Sequence, residues 1–506
     1  MVGAGILLSR IIGLVRNRVF AHYFGTSDAA DAFNAAFRIP NFLQNLFGEG
    51  VLSASFIPVY AGLRARDRER EAWAMAAAVA ALLALTVSVL VAAGLLLAPL
   101  LIDLIAPGFE GEKREATTRL VRILFPGAGL LVLSAWCLGV LNSHRRFFLS
   151  YAAPVVWNLA IISALVWAGD GTGQYDLAVI AAWGSVAGSL LQLAVQLPTV
   201  LRLLGGLRPG PLTGEPVRAV LRNFFPVFVG RGVVQISAYV DTVLASFLPT
   251  GAVAAVSYAQ VLYTLPVSLF GMSVSAAELP EMSSATGTET ERAAYLRGRL
   301  EAGLRQIAFL VVPSVAVFIV LGDVVTGALY QSGEFTRGMT LYVWAILGAA
   351  SVGLLPSTLG RLYSSAFYAL HDTRTPLRIA VIRVSLGIAL GYGLALHLPG
   401  ALGLDSQWGA AGITLASGLA AAVEYGLLRR ALSGRIGITR LDRGFLTRLW
   451  TSAALAVATG WVVRSTLPML HPIPAAVLIL GVFGATYVGG AALLGVPQAK
   501  RLLRLR

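Results

Sequence analysis

The chain has 506 residues, 57% hydrophobic and only 13% charged, with a formal net charge of +14. A soluble domain carries about a quarter charged residues to cover its surface, so this composition excludes a soluble globular protein and makes lipid the solvent for most of the chain. A balance this basic also invites a nucleic-acid reading, which the placement of the charges excludes.

Crossing a bilayer takes about 20 apolar residues per helix. About fourteen such stretches follow one another: 2–24, 29–61, 73–105, 117–141, 149–169, 176–204, 217–248, 251–283, 304–330, 338–370, 375–398, 408–431, 446–466 and 472–496. Period-2 alternation is absent, which argues against a membrane β-barrel. The expected fold is therefore an all-α membrane protein.

Span one carries Arg10, Arg16 and Arg18 and lacks a small-residue cleavage site, so it reads as a retained helix and not a signal peptide. Arg10 and Arg16 lie roughly 120° apart on a helix, and Arg16 and Arg18 have the reach to snorkel. In span two, Asp31, Asn34, Arg38, Asn41, Asn45 and Glu49 fall within an arc of about 80°. An ionisable group at mid-bilayer costs roughly 2.5–3.5 kcal/mol on insertion scales and so faces protein or water. The stripe is expected to see a polar cavity, with Asp31 and Glu49 orienting arginines; a stripe that only joins helices is the competing reading. Spans two and eight are long, contain Pro or Gly, and are expected to kink, span two at Pro40. Cys137 lies in an apolar stretch, and one thiol makes neither an intramolecular disulfide nor a metal cluster. Span seven adds Arg231, then Gln235 one turn later and Asp241; a structural ion pair competes with a cavity role there. Arg361 in span ten and Arg383 in span eleven are expected near the cytoplasmic end.

Every second loop is basic. These loops hold Arg64, Arg66, Arg68 and Arg70; Arg145 and Arg146; Arg208 and Arg218; Arg292, Arg297 and Arg299; Arg374 and Arg378; and five arginines between 429 and 443, with Lys500, Arg501, Arg504 and Arg506 in the tail. The opposite loops hold Asp28, Asp170, Glu334 and Asp405, with Lys113 and Arg114 as the main exceptions. By the positive-inside rule both termini are cytoplasmic, and most of the net charge serves topology and anionic-lipid contact. No nucleic-acid partner is expected.

The halves of the first twelve spans resemble each other. Leu46–Gly48 and Pro58 match Leu269–Gly271 and Pro280; Pro107–Phe109 lies near the register of Gly333–Phe335; the loop 141–146 parallels 370–374. Two six-helix lobes related by a pseudo-twofold follow, at 1–205 and 206–435, with a further helix pair at 436–506. Transporters are commonly built from such repeats, with substrate between them. Arginines on one cavity suit a phosphate-bearing anion, because guanidinium stays charged when buried and grips phosphate oxygens in a bidentate manner.

The run Ser9–Arg16 (SRIIGLVR), Phe24-Gly25, Asp31–Phe33, Phe37–Asn41, Phe47–Gly50 and Ser55–Pro58 resembles the MurJ/MviN family. So do Ala106–Phe109, Leu329–Gln331 with Gly333 and Phe335, Ala366–Ala369 and Asp372–Pro376. The resemblance covers nearly the whole chain. It implies a flippase of the multidrug/oligosaccharidyl-lipid/polysaccharide exporter superfamily that moves lipid II, the undecaprenyl-diphosphate-linked peptidoglycan precursor, to the periplasmic leaflet by alternating access. It also implies a cationic central cavity and a lipid-tail groove formed by the last two helices. The location implied is the bacterial inner membrane, and the partners are lipid II, membrane lipids and the cell-wall synthesis machinery, with the chain a monomer. Arg10, Arg16, Asp31 and Glu49 match the family's functional positions, and Arg38 matches a basic one. Gln44 and Val261 stand where family members usually place cavity arginines, and Arg231 is expected to compensate for one of them. A complete sodium site is not expected, nor is a cofactor. The chain begins close to its first helix, so a few N-terminal residues are expected to be missing. An exporter of another polyprenyl-diphosphate-linked glycan is the alternative. An enzyme is disfavoured, since Asp-x-Asp, His-Glu-x-x-His and Gly-x-x-x-x-Gly-Lys patterns are absent and the loops are short.

Overall fold

The computed structural model describes residues 2–206, 210–466 and 471–503; the side chains of 2–4, 6, 49, 227 and 229–238 also fall outside the description. Among the described residues all regular structure is helical, as the composition requires. In hydrocarbon a helix satisfies every backbone N–H and C=O within its own segment.

Contacts divide the chain into two compact units, 1–254 with 332–335, and 255–331 with 336–506. The first unit holds α1 (Val2–Phe24), α2 (Asp28–Phe47), α3 (Glu49–Arg64), α4 (Glu69–Leu96), α5 (Ala98–Ile105), α6 (Gly111–Ser143), α7 (Phe147–Ala168), α8 (Gln174–Leu203) and α9 (Glu215–Ser246). Then come α10 (Ala252–Pro266), α11 (Ser273–Ser283), α12 (Glu289–Val320), α13 (Gly322–Tyr330), α14 (Arg337–Ser351), α15 (Leu354–Ala369) and α16 (Arg374–Tyr392). The short α17 (Leu398–Ala401), α18 (Gly409–Ile436), α19 (Arg443–Thr466), α20 (Pro472–Leu493) and α21 (Pro497–Leu502) complete the second unit. Helix α9 packs on α2, α3, α4 and α5, so packing places it with the first unit, beyond the repeat boundary at 205/206.

Among the described residues eleven helices are long and apolar enough to cross a membrane, or twelve when the bent pair α14–α15 is one span. The arginine-bearing α1 and α9 are not among them, so this measure does not reach the fourteen spans expected from sequence. Span two runs through Pro40 and breaks instead at Gly48, where the backbone turns extended (ψ −155°). A Cβ at Gly48 would strike the Gln44 carbonyl. The break therefore sits at a position where only glycine fits. Span eight carries its irregularity at the corresponding Leu-Phe-Gly, as a π-helical stretch over Val267–Met272. The turns after α6 and α15 also match: Arg145 and His371 take φ of 59° and 58°, and Arg146 and Asp372 donate N–H back to Leu141 and Phe367.

With lipid outside and apolar side chains inside, close packing and polar joints hold helices together more than the hydrophobic effect. Helix α8 lies against both α6 and α7. A Cβ at Gly188 would sit 2.8 Å from the Trp157 carbonyl oxygen, so only glycine lets α7 and α8 approach this closely. Buried Gln192 donates to the Ser134 hydroxyl (2.8 Å), which donates to Gln196 (2.7 Å), joining α6 to α8.

Candidate functional site

In the first unit the charged residues of α1 and α2 grade from closed to open along the helices. Near the turn between them, Phe20, Phe24, Asp31 and Phe33 are buried. Asn34, Arg38 and Asn41 are half-buried, and Asn45, at the other end of α2, is exposed. Helix α1 runs the opposite way, so its half-buried Arg16 and exposed Arg10 follow the same gradient. Burial of these side chains thus falls off along both helices with distance from the turn that joins them.

Aromatic rings build the buried end. Phe20 stacks on Phe24 (4.4 Å between centroids) and touches Phe33 (4.9 Å); Phe33 meets Phe37 (5.7 Å), which stacks on Trp157 of α7 (5.9 Å). The Arg16 guanidinium lies 5.0 Å from the Trp157 ring centre and donates to Asn17 at 2.9 Å. Trp157 is itself held by its indole N–H to the Ser185 carbonyl (3.1 Å). A cation over an indole face is attracted by the ring quadrupole, so the Trp157 ring positions Arg16. One residue beyond Phe37, Arg38 points around the helix toward α9. Tyr239 donates to the Arg38 carbonyl (2.9 Å), and Asp241 acts electrostatically on the guanidinium. Asn34 donates to the Ala30 carbonyl of its own helix (2.8 Å).

Asp31 stands apart from this face. It is 1% exposed and accepts from Lys113 (2.7 Å) and from the N–H groups of Gly251 and Ala254 (both 2.8 Å). Lys113 also bridges Asp28 at 2.8 Å. The sequence pattern groups Asp31 with side chains that orient arginines; its observed cation is instead a lysine from the 106–111 turn side of α6. The physical reason is that the N–H groups at a helix start lack intrahelical acceptors and favour a carboxylate. Trp157, Asn17 and Lys113 are the contributors that sequence reasoning missed. Lys113 carried a signal, as a cation on the otherwise acid-bearing side; Trp157 carried none beyond being aromatic. Glu49, Arg231 and Gln235 lie, as side chains, outside the described residues, as do Arg208, Arg504 and Arg506.

In the second unit, Arg383 pairs with Glu424 (3.3 Å). Arg361 and Arg383 sit about 12–14 Å along their helices from the 370–373 turn, at 1.5 Å per residue, deeper than the helix-end placement expected from sequence.

Compared with known proteins, residues 20–477 match the family model described as lipid II flippase MurJ. The chain belongs to the MurJ family. A probable lipid II flippase MurJ of Rhizobium meliloti is 32% identical over 481 residues, 91% of this chain and 86% of the relative. The lipid II flippase MurJ of Burkholderia cenocepacia is 32% identical over 447 residues, 87% and 84% of the two chains. Among solved structures, a MurJ lipid II flippase in an inward closed conformation matches with TM-score 0.80, 23% identity and 99% coverage of both chains. An inward-facing multidrug transporter of the MATE family matches more loosely, at TM-score 0.69, 17% identity and 84% of this chain. The MurJ membership confirms the family resemblance and, with the structural match, the all-helical transporter fold.

Proposed function

We propose that this chain flips lipid II from the cytoplasmic to the periplasmic leaflet by alternating access. The observation that carries the reading is the set of arginines within α1 and α2, less buried the farther they lie from the aromatic cluster at the turn between these helices, in a chain of the MurJ family. Arg10, Arg16 and Arg38 supply guanidiniums suited to a diphosphate, and Asn34, Asn41 and Asn45 supply amides for the glycan. In this reading Arg231 replaces a cation absent at Gln44 or Val261, and Gln235, four residues on, and Glu49 are assigned to the same cavity. The chain sits in the bacterial inner membrane as fourteen spans with both termini cytoplasmic. It consists of lobes at 1–205 and 206–435 and a helix pair at 436–506, and works as a monomer beside the cell-wall synthesis machinery.

The test is replacement of an essential lipid II flippase in cells, scored by lipid II reaching the outer leaflet. Rescue is expected, and Arg10→Ala, Arg16→Ala and Arg231→Ala each lose it at unchanged protein level. Failure of the unaltered chain, correctly inserted, rejects the flippase reading; normal transport by Arg231→Ala rejects the compensation.

A further inference from the structure

The second unit contains an ionic cluster that none of the site residues above accounts for. Four helices converge on it: α10 through Tyr263, α15 through Arg361, α16 through Arg383 and α18 through Glu424. Glu424, with its side chain 14% exposed, accepts from Arg383 at 3.3 Å. Arg361 feels the repulsion of Arg383 and the attraction of Tyr263 and Glu424. Among the described residues no carboxylate lies within ion-pair distance of its guanidinium. Glu424 thus pairs with one of two nearby guanidiniums, and the cluster keeps a net positive charge within helices that read as membrane spans.

Such a charge persists only where water or protein receives it, and the α10 and α15 side of the cluster is polar. On α15, Ser357, Arg361, Ser364 and Tyr368 recur at helical spacing along one face, with Arg361 and Tyr368 exposed while Leu362 and Tyr363 are buried. On α10, Gln260 and Thr264 are exposed one turn apart and bond each other at 3.4 Å. The Tyr263 hydroxyl joins these faces through Ser357 at 2.8 Å. Ionisable side chains within a span face the bundle interior or a water-filled cavity, which places this polar side away from lipid.

We propose that Arg361 and Arg383 form a phosphate subsite on this face, with Glu424 occupying Arg383 until a phosphate displaces it. Arg361 offers the open fork, and its planar array of donors matches two phosphate oxygens. Glu424 keeps Arg383 in register and, as a competing anion, keeps the subsite from holding phosphate too tightly to release it. The ligand chemistry is a phosphate ester or diphosphate; its assignment to the lipid-linked substrate rests on the flippase reading above.

The test uses the full chain in phosphatidylcholine nanodiscs, titrated by calorimetry with inorganic pyrophosphate and separately with lipid II. Arg361→Ala is expected to weaken both at least tenfold, with Arg361→Lys restoring part of the loss. Glu424→Gln is expected to tighten pyrophosphate severalfold and to slow flipping, an effect a purely structural ion pair would not produce. Arg68→Ala, remote and exposed, controls for general charge, and an unchanged melting midpoint of Arg361→Ala excludes misfolding. Arg361-dependent binding of pyrophosphate without binding of lipid II keeps the subsite and rejects the lipid-diphosphate reading. A chain that binds and flips lipid II equally well as Arg361→Ala overturns the subsite and leaves the flippase reading standing. Binding of neither ligand by the unaltered chain overturns the subsite as well.

Discussion

At the scale of single residues, the charges buried in this chain differ in what receives them. Asp31 is consumed: a lysine and two backbone N–H groups take up its oxygens. Arg16 instead rests on an indole face and donates to Asn17. Removing one partner of a buried pair leaves the other uncompensated, which costs about 3–5 kcal/mol. Asp31→Ala should therefore lower the unfolding free energy by that order in detergent, and Lys113→Met combined with it should recover part of the loss; independent, additive effects would show the pair is not coupled. His144, just past α6, accepts or donates at 2.9 Å with Tyr60, and burial, then the nearby Arg64 cation, pushes its pKa below the ordinary value. A depressed pKa means the unfolded chain binds the proton more readily, so this stability is present above the unfolded value of about 6.5 and lost as pH falls through the lower folded one. Thermal scans from pH 7.5 to 5 should show that decline, and His144→Gln should flatten it.

At the scale of elements, irregularity is placed by steric fit more than by proline. Helix α2 passes through Pro40 and stops at Gly48, and the bent pair α14–α15 turns by 43° across Val352 and Gly353. Gly353 touches Gly418 of α18 backbone to backbone, and a Cβ at Gly418 would sit 2.9 Å from the Gly353 nitrogen. Gly418→Leu should overpack this crossing at a cost of about 1–3 kcal/mol, read as a lower detergent melting midpoint. Gly426→Ala, on the same helix with open space around it, should be neutral or stabilising by up to about 1 kcal/mol. Equal effects at the two positions would show that helix propensity, and not the close crossing, sets the stability there. The segments themselves were readable from apolar run length. The breaks were not, because which backbone approaches a glycine depends on residues far away in the chain.

At the scale of the whole molecule, the charge asymmetry of the loops makes orientation a testable property. The sole cysteine, Cys137, is fully buried, so single cysteines can be introduced against a Cys137→Ala background. Both termini cytoplasmic predicts that an impermeant maleimide added to intact cells labels Ser406→Cys and not Thr286→Cys, both exposed positions; the reverse pattern rejects the orientation. The sequence repeat and the packing also divide the chain differently. Repetition places α9 at the head of the second half, whereas its contacts tie it to α2 through α5.

Sequence alone determined that the chain lives in lipid as helices, that it belongs to the MurJ/MviN family, and that arginines at positions such as 10, 16 and 38 demand an explanation. It could do so because apolar run length and charge in hydrocarbon are local properties with large energetic consequences. Tertiary structure alone decided how each charge is used: Asp31 turned to Lys113, 82 residues away, Arg16 laid on Trp157, and Arg361 left open beside a paired Arg383. A side chain's partner is set by which helices pack together and at what rotation, and that information is spread over the whole chain, not written around the residue itself.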